Sequence, residues 1–312
     1  MVTYLVRRLA LGAVVVLLTA VFAIGGWRAL RPDQFPGEPL VSSTLHQLER
    51  YFFHLDFGVA CEYLGCPKIH DLWVRGIRGD LWLLGLSLIV GPAIGLAAGS
   101  WCASRRGSLR ARAIEAVGMF FFCTPPFVLG YGLLLLFAPD FGLLPFQPLF
   151  EVHSYTEPLD NPVDFLRSMV IPVLVVSLPL AAACLRLTLG TVSEAAHEEY
   201  VRTARAKGVG ERDAVRVHAR PAAYVAVSSY VGATVQLVVT NMVLAEAVFS
   251  VPGFFVHTRR ALGQTPGYPP GIDPPTLQAM AVWAAVMIVV VGIAADVALV
   301  ALDPRIRARG RV

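Results

Sequence analysis

An all-α membrane protein is the fold class this sequence predicts, and three observations carry it. Of 312 residues, 56% are hydrophobic and only 15% charged, and the mean hydropathy is +0.62. A soluble domain of this length needs more charge to cover its surface. The apolar residues also come in long blocks divided by charged loops, and about 20 apolar residues in a helix cross the hydrocarbon of a bilayer. The net charge of +4 is too small to suggest nucleic acid as a partner.

Six blocks qualify as transmembrane helices, at residues 9–27, 81–103, 113–138, 168–189, 224–249 and 277–302, each almost free of charge. Pro92, Pro125, Pro126, Pro172 and Pro179 fall inside these blocks. They are tolerable there, because neighbouring helices and water satisfy the freed carbonyls. The block at 9–27 follows Arg7 and Arg8 as a signal peptide would, yet Gly25-Gly26-Trp27-Arg28 lacks a clean small-x-small cleavage site. It is read as a retained anchor, and the whole chain, 1–312, as a single transmembrane domain.

Orientation follows from the basic residues. Arg7 and Arg8 precede the first span, and Arg105, Arg106, Arg110 and Arg112 crowd the second loop. Arg202, Arg205, Lys207, Arg212, Arg216 and Arg220 fill the fourth, and Arg305, Arg307, Arg309 and Arg311 end the chain. With six crossings all of these share one face, so both termini are expected in the cytoplasm. Arg259 and Arg260 fall on the other face and weaken the bias without reversing it. Residues 28–80 then form a first external loop, and 190–223 a long cytoplasmic loop.

Cys61 and Cys66 share that external loop, with four residues between them. They form a disulfide in an oxidising compartment or remain two thiols; no His–Cys cluster of suitable spacing completes a metal site. Catalytic motifs are missing from the sequence: it has no phosphate-cradling glycine loop with lysine, no G-x-S-x-G and no H-E-x-x-H. An enzyme is therefore not expected, and neither are catalytic residues or a cofactor of the chain's own. Gln236, Thr240 and Asn241 are polar groups in an otherwise apolar fifth span. Such groups either line a path or hydrogen-bond to another helix. Arg186 is expected to snorkel to the inner interface and Asp296 is the one acid well inside the sixth span.

The stretch from Ser193 to Pro221 lies in a loop but is rich in Ala, Glu and Arg, as helices are. Gly208 and Gly210 interrupt it, which predicts two short helices meeting at a glycine corner. Composition alone leaves open whether this is a docking element or a solvated basic loop. The order of residues is more telling. Glu199-Tyr200-Val201-Arg202-Thr203-Ala204-Arg205-Ala206-Lys207-Gly208 resembles the coupling-loop signature of the permeases of bacterial ABC importers, within the dipeptide/oligopeptide/nickel class. Tyr4-Leu5-Val6-Arg7-Arg8-Leu9, Leu55-Asp56-Phe57-Gly58, Glu246-Ala247-Val248-Phe249-Ser250-Val251-Pro252-Gly253 and Leu302-Asp303-Pro304-Arg305-Ile306-Arg307 are similar to further stretches of that class, in the same order. Departures occur at Leu189, where the class often has arginine, and at Ala226, where it has its usual proline. Arg75-Gly76-Ile77-Arg78-Gly79-Asp80-Leu81 replaces a common R-x-P-A-T-L run.

The resemblance implies an ABC importer permease-like domain with a cytoplasmic coupling helix, in a bacterial inner (plasma) membrane. It implies half of a translocation pore for peptides or a similar small solute. The expected partners are a second homologous permease subunit, two cytoplasmic ATPase subunits carrying ATP and Mg, and an external substrate-binding protein. The ATPase-coupling residues it points to are Tyr200, Arg202, Thr203, Ala204, Arg205, Ala206, Lys207, Gly208 and Glu211. An ion-gradient-driven secondary transporter is the competing expectation; internal repeats would mark it.

Overall fold

In the computed structural model, residues 2–35, 37, 39–60, 66–137, 155–263 and 271–302 are described. Among them all regular structure is helical apart from one isolated antiparallel bridge, Val59 to Lys68. Long helices are α1 (Val2–Leu30), α3 (Ile69–Ala103), α6 (Pro162–Ala195), α9 (Pro221–Phe249) and α11 (Pro274–Leu302), the last preceded by a one-turn α10 (Thr258–Ala261). All five are long and apolar enough to cross a membrane. They agree with five of the six expected spans, although α3 begins twelve residues earlier than residue 81, inside the expected external loop. At 35 residues it is about 52 Å long, more than the hydrocarbon requires.

The third expected span differs. It is two helices, α4 (Leu109–Cys123) and α5 (Pro126–Phe137), bent by 111°. The cause is in the sequence: Pro125 and Pro126 have no N–H, so the carbonyls of Phe121 and Phe122 lose the donors that a continuous helix would give them. Thr124 is extended there. The expected end of this span, residue 138, lies outside the described residues.

By compactness the chain divides into two units, Met1–Leu81 with Ser250–Ile293, and Trp82–Phe249 with Ala294–Val312. In the first, the expected external loop contains an amphipathic helix α2 (Leu40–His54). Its Leu48 and Tyr51 pack with Ala20 and Ile24 of α1 and Val282 of α11. The Leu55-Asp56-Phe57-Gly58 motif closes α2. Leu55 takes a left-handed φ of 50°, the Asp56 carboxylate accepts from the Gly58 N–H (3.0 Å) and from Arg50, and Phe57 packs edge-on to Tyr51. Arg50 and the Gly58 amide hold Asp56 below the usual carboxylate pKa.

The same unit explains the Arg75–Leu81 run. A Cβ on Gly79 would lie 2.6 Å from the Pro252 carbonyl oxygen, and Gly76 is as tightly covered by Gly253 and Phe254. The segment after α9 therefore lies directly on the α3 backbone. Buried Asp80 secures it by accepting from the Phe254 N–H (2.8 Å) and from Trp283 Nε1 (2.6 Å).

The second unit is built around α6, the most buried of the long helices. Asn161 caps its start by accepting from the Val163 and Asp164 amides, and Pro162 occupies the first turn. Helices α4, α5 and α9 pack on it. α3 approaches through Gly91, Gly95 and Gly99; a Cβ at Gly99 would sit 2.6 Å from the Thr188 Cβ, and one at Gly95 2.6 Å from the Ala181 carbonyl oxygen. Small residues let membrane helices meet this closely.

Candidate functional site

The 199–221 stretch folds into the expected corner. α7 (Glu199–Ala206) is followed by a turn, a short α8 (Glu211–Asp213), a π-helical segment (Ala214–Ala219) and then α9. Val201 and Ala204 are the buried face of α7. A small apolar core holds the element together, with Val192 and Ala195 from α6, Val201 from α7, and Ala214, Val215, Ala219 and Ala223 beyond the turn. Leu96 and Ala103 of α3 pack against it.

Gly208 ends α7. Its φ is +88°, its N–H donates to the Arg205 carbonyl (2.9 Å), and the Val209 N–H donates to the Ala204 carbonyl (3.2 Å). These two bonds are the pair that terminates a helix through a left-handed residue, where glycine avoids the Cβ clash. A Cβ on Gly208 meets nothing within 4 Å among the described residues beyond its chain neighbours. Gly210 has an ordinary φ of −61° and starts α8, so only the first of the two glycines is needed for its backbone.

The expected coupling residues divide by what they touch. Arg205 and Glu211 face each other: Nε and Nη2 of the guanidinium donate to the two carboxylate oxygens at 2.6 and 2.7 Å, and Nη1 donates to the Ala196 carbonyl at 2.9 Å. This bidentate clasp ties both sides of the corner to the end of α6. Ala204 is buried beneath it. Tyr200, Arg202, Thr203, Ala206, Lys207 and Gly208 are exposed, so they form the outward surface.

The three polar groups of α9 also divide. Gln236 and Thr240 are exposed, on a stripe with Ala233, Leu237 and Leu244; the Thr240 hydroxyl donates to the Gln236 carbonyl (2.9 Å). Asn241 instead lines a cavity of about 320 Å³ at the α4–α5 bend. Its walls include Phe122, Thr124, Pro179, Tyr230 and Thr234. Reading the sequence for polar residues alone missed Thr124, Tyr230 and Thr234. The signal that finds this cavity is the adjacent proline pair, which strands two carbonyls on a helix wall.

Arg186 reaches the α4 face, with its guanidinium 5.6 Å from the Phe122 ring centroid. Cys66 is exposed, and its expected disulfide partner Cys61 lies outside the described residues.

Comparison with known proteins adds a lineage to this geometry. A family model described as binding-protein-dependent transport system inner membrane component matches residues 95–308. The chain is 29% identical over 252 residues to a probable peptide ABC transporter permease of Sinorhizobium fredii, covering 81% of this chain and 76% of the relative. It is 28% identical over 236 residues to the di/tripeptide transport system permease protein DppB of Pseudomonas aeruginosa (71% and 68%). It is also 28% identical over 258 residues to the oligopeptide transport system permease protein OppB of Mycobacterium bovis (81% and 76%).

Proposed function

Because this chain belongs to the inner membrane components of binding-protein-dependent transport systems, we propose that it is a peptide-importing pore subunit worked by separate ATPases through the α7 corner. The observation that carries the reading is the construction of that corner. It is a rigid element with its own core and ionic clasp, and it presents Tyr200, Arg202, Thr203 and Lys207 outward. A loop that served only to orient the protein would need neither core nor clasp.

In the mechanism, each of two cytoplasmic ATPase subunits holds ATP and Mg and receives one coupling corner in a groove. Closure of the ATPases moves the corner as a body, and the clasp passes that movement to the end of α6 rather than dissipating it in the turn. Two homologous permease subunits form the pore. The α9 stripe of Gln236 and Thr240 supports this pairing, since a side-chain amide facing lipid is costly and one facing another helix is not. Cargo delivered by an external binding protein passes the cavity at the α4–α5 bend. There Asn241 and Thr234 offer hydrogen bonds to a peptide backbone, beside the aromatic walls of Phe122 and Tyr230. Both termini are placed in the cytoplasm.

Purification of the tagged chain from its native membrane, with neighbouring subunits, tests the reading. ATPase subunits should co-elute, and Arg202→Glu should release them while the chain stays in the membrane. Peptide uptake that persists without any ATPase and collapses when the ion gradient is dissipated would assign the chain to secondary transport instead.

A further inference from the structure

A second cavity, of about 480 Å³, opens between the end of α3 and the segment that follows the coupling corner. Four arginines line it, Arg105, Arg212, Arg216 and Arg220, against one acid, Asp213. None of the four makes an ion pair with a carboxylate among the described residues. Arg105 stacks over Trp101 (4.4 Å) and Arg220 over Tyr224 (5.7 Å), which orients the guanidiniums without neutralising them. The Nε of Arg220 is buried and has no hydrogen-bond partner among the described residues. A buried guanidinium nitrogen left unmatched is costly, and an anionic oxygen in the cavity would satisfy it.

The arrangement of the arginines is itself a product of the backbone. Arg212, Arg216 and Arg220 are four residues apart, and in an α-helix each such step drifts by about 40° around the axis. The π-helical turn widens the coil here, with the Arg220 N–H donating to the Val215 carbonyl five residues back (2.9 Å). Part of the drift is thereby cancelled, and the three side chains converge on one cavity. Such insertions gather at working sites in helices.

The floor says which anion. Ala97, Ser100 and Trp101 belong to the last turns of α3, a membrane-crossing helix that ends at Ala103. A soluble macromolecule docks outside that level, whereas a phospholipid headgroup sits at it, and tryptophan is the residue favoured there. Ala97 and Val215 add apolar wall beside the charges. We propose that this cavity binds the phosphate headgroup of an anionic phospholipid, which then wedges between α3 and the helix leading out of the coupling corner.

The test reconstitutes the full chain in vesicles of equal parts phosphatidylglycerol and phosphatidylcholine and identifies retained lipids by native mass spectrometry. Phosphatidylglycerol should be enriched about tenfold or more over phosphatidylcholine. Arg216→Gln with Arg220→Gln should abolish the preference, and Arg216→Lys with Arg220→Lys should keep most of it. Absence of enrichment in the unaltered protein overturns the proposal, and this arm needs no variant to fold. So does enrichment that the glutamine pair leaves unchanged. Free inorganic phosphate displacing the bound lipid at millimolar concentration would assign the cavity to a soluble phosphate. High-yield cross-linking of Arg216→Cys to an ATPase subunit would assign it to that protein.

Discussion

Gly208 is the residue at which two different costs separate. Its φ of +88° strains any side chain by about 1–2 kcal/mol, and asparagine and aspartate bear that conformation better than alanine does. Among the described residues, nothing beyond its chain neighbours lies within 4 Å of an added Cβ. Strain within the chain therefore ranks Gly208→Asn as milder than Gly208→Ala. Collision with a partner's groove ranks them the other way, because the larger polar side chain intrudes further. Thermal stability of the isolated chain should follow the first order, and transport per ATP hydrolysed the second, with Gly208→Asp worst. If both measurements give one order, the corner does not dock. His257 offers a separate residue-scale test, since burial and then Arg260 depress its pKa to about 4. The unfolded side chain takes up its proton near pH 6.5 and the folded one does not, so folding stability is unaffected above that pH. It falls as the pH drops from about 6.5 toward 4, by at most about 3 kcal/mol. Melting curves at pH 7.5, 6 and 4.5 should show the drop, and His257→Phe should flatten it.

At the scale of elements, the glycines of α3 predict opposite effects from one substitution. Gly95→Ala drives a methyl into Ala181 and Cys184 of α6, and overpacking of that kind costs about 1–3 kcal/mol. An added Cβ at Gly85 meets no other part of the described residues within 4 Å, so Gly85→Ala should be neutral or stabilise by up to about 1 kcal/mol. Melting of the detergent-purified variants checks both, and a destabilised Gly85→Ala would count against the packing described. Five spans and the glycine corner were legible in the sequence, because long apolar runs and a helix-forming loop broken by Gly208 are local signals. The bend between α4 and α5 was readable in principle at Pro125-Pro126, but a proline in a membrane helix gives a kink or a full break according to what its neighbours supply. The partnership of Arg205 with Glu211 was not legible. Arg205 lies inside the Glu199–Gly208 signature and Glu211 three residues beyond it, and only the turn between them shows that they hold each other.

For the molecule as a whole, the basic loops predict which parts face outward. A cysteine at Gly37 should react with an impermeant thiol reagent added outside intact cells, and one at Gly107 should not. The reverse labelling would invert the chain and move the α7 corner to the wrong side for any cytoplasmic ATPase. The central place of α6 has a consequence for how the molecule is made. Synthesis runs from α3 through α4 and α5 before α6 exists, and all three of those helices pack on it. At about 5–20 residues per second, the roughly 90 residues between the ends of α3 and α6 take about 5–20 s to emerge. Throughout that interval the glycine track of α3 lacks the α6 surface on which it packs. A ribosome that stalls before residue 162 leaves three membrane helices with no common partner, and the quality control of the membrane meets this protein there first.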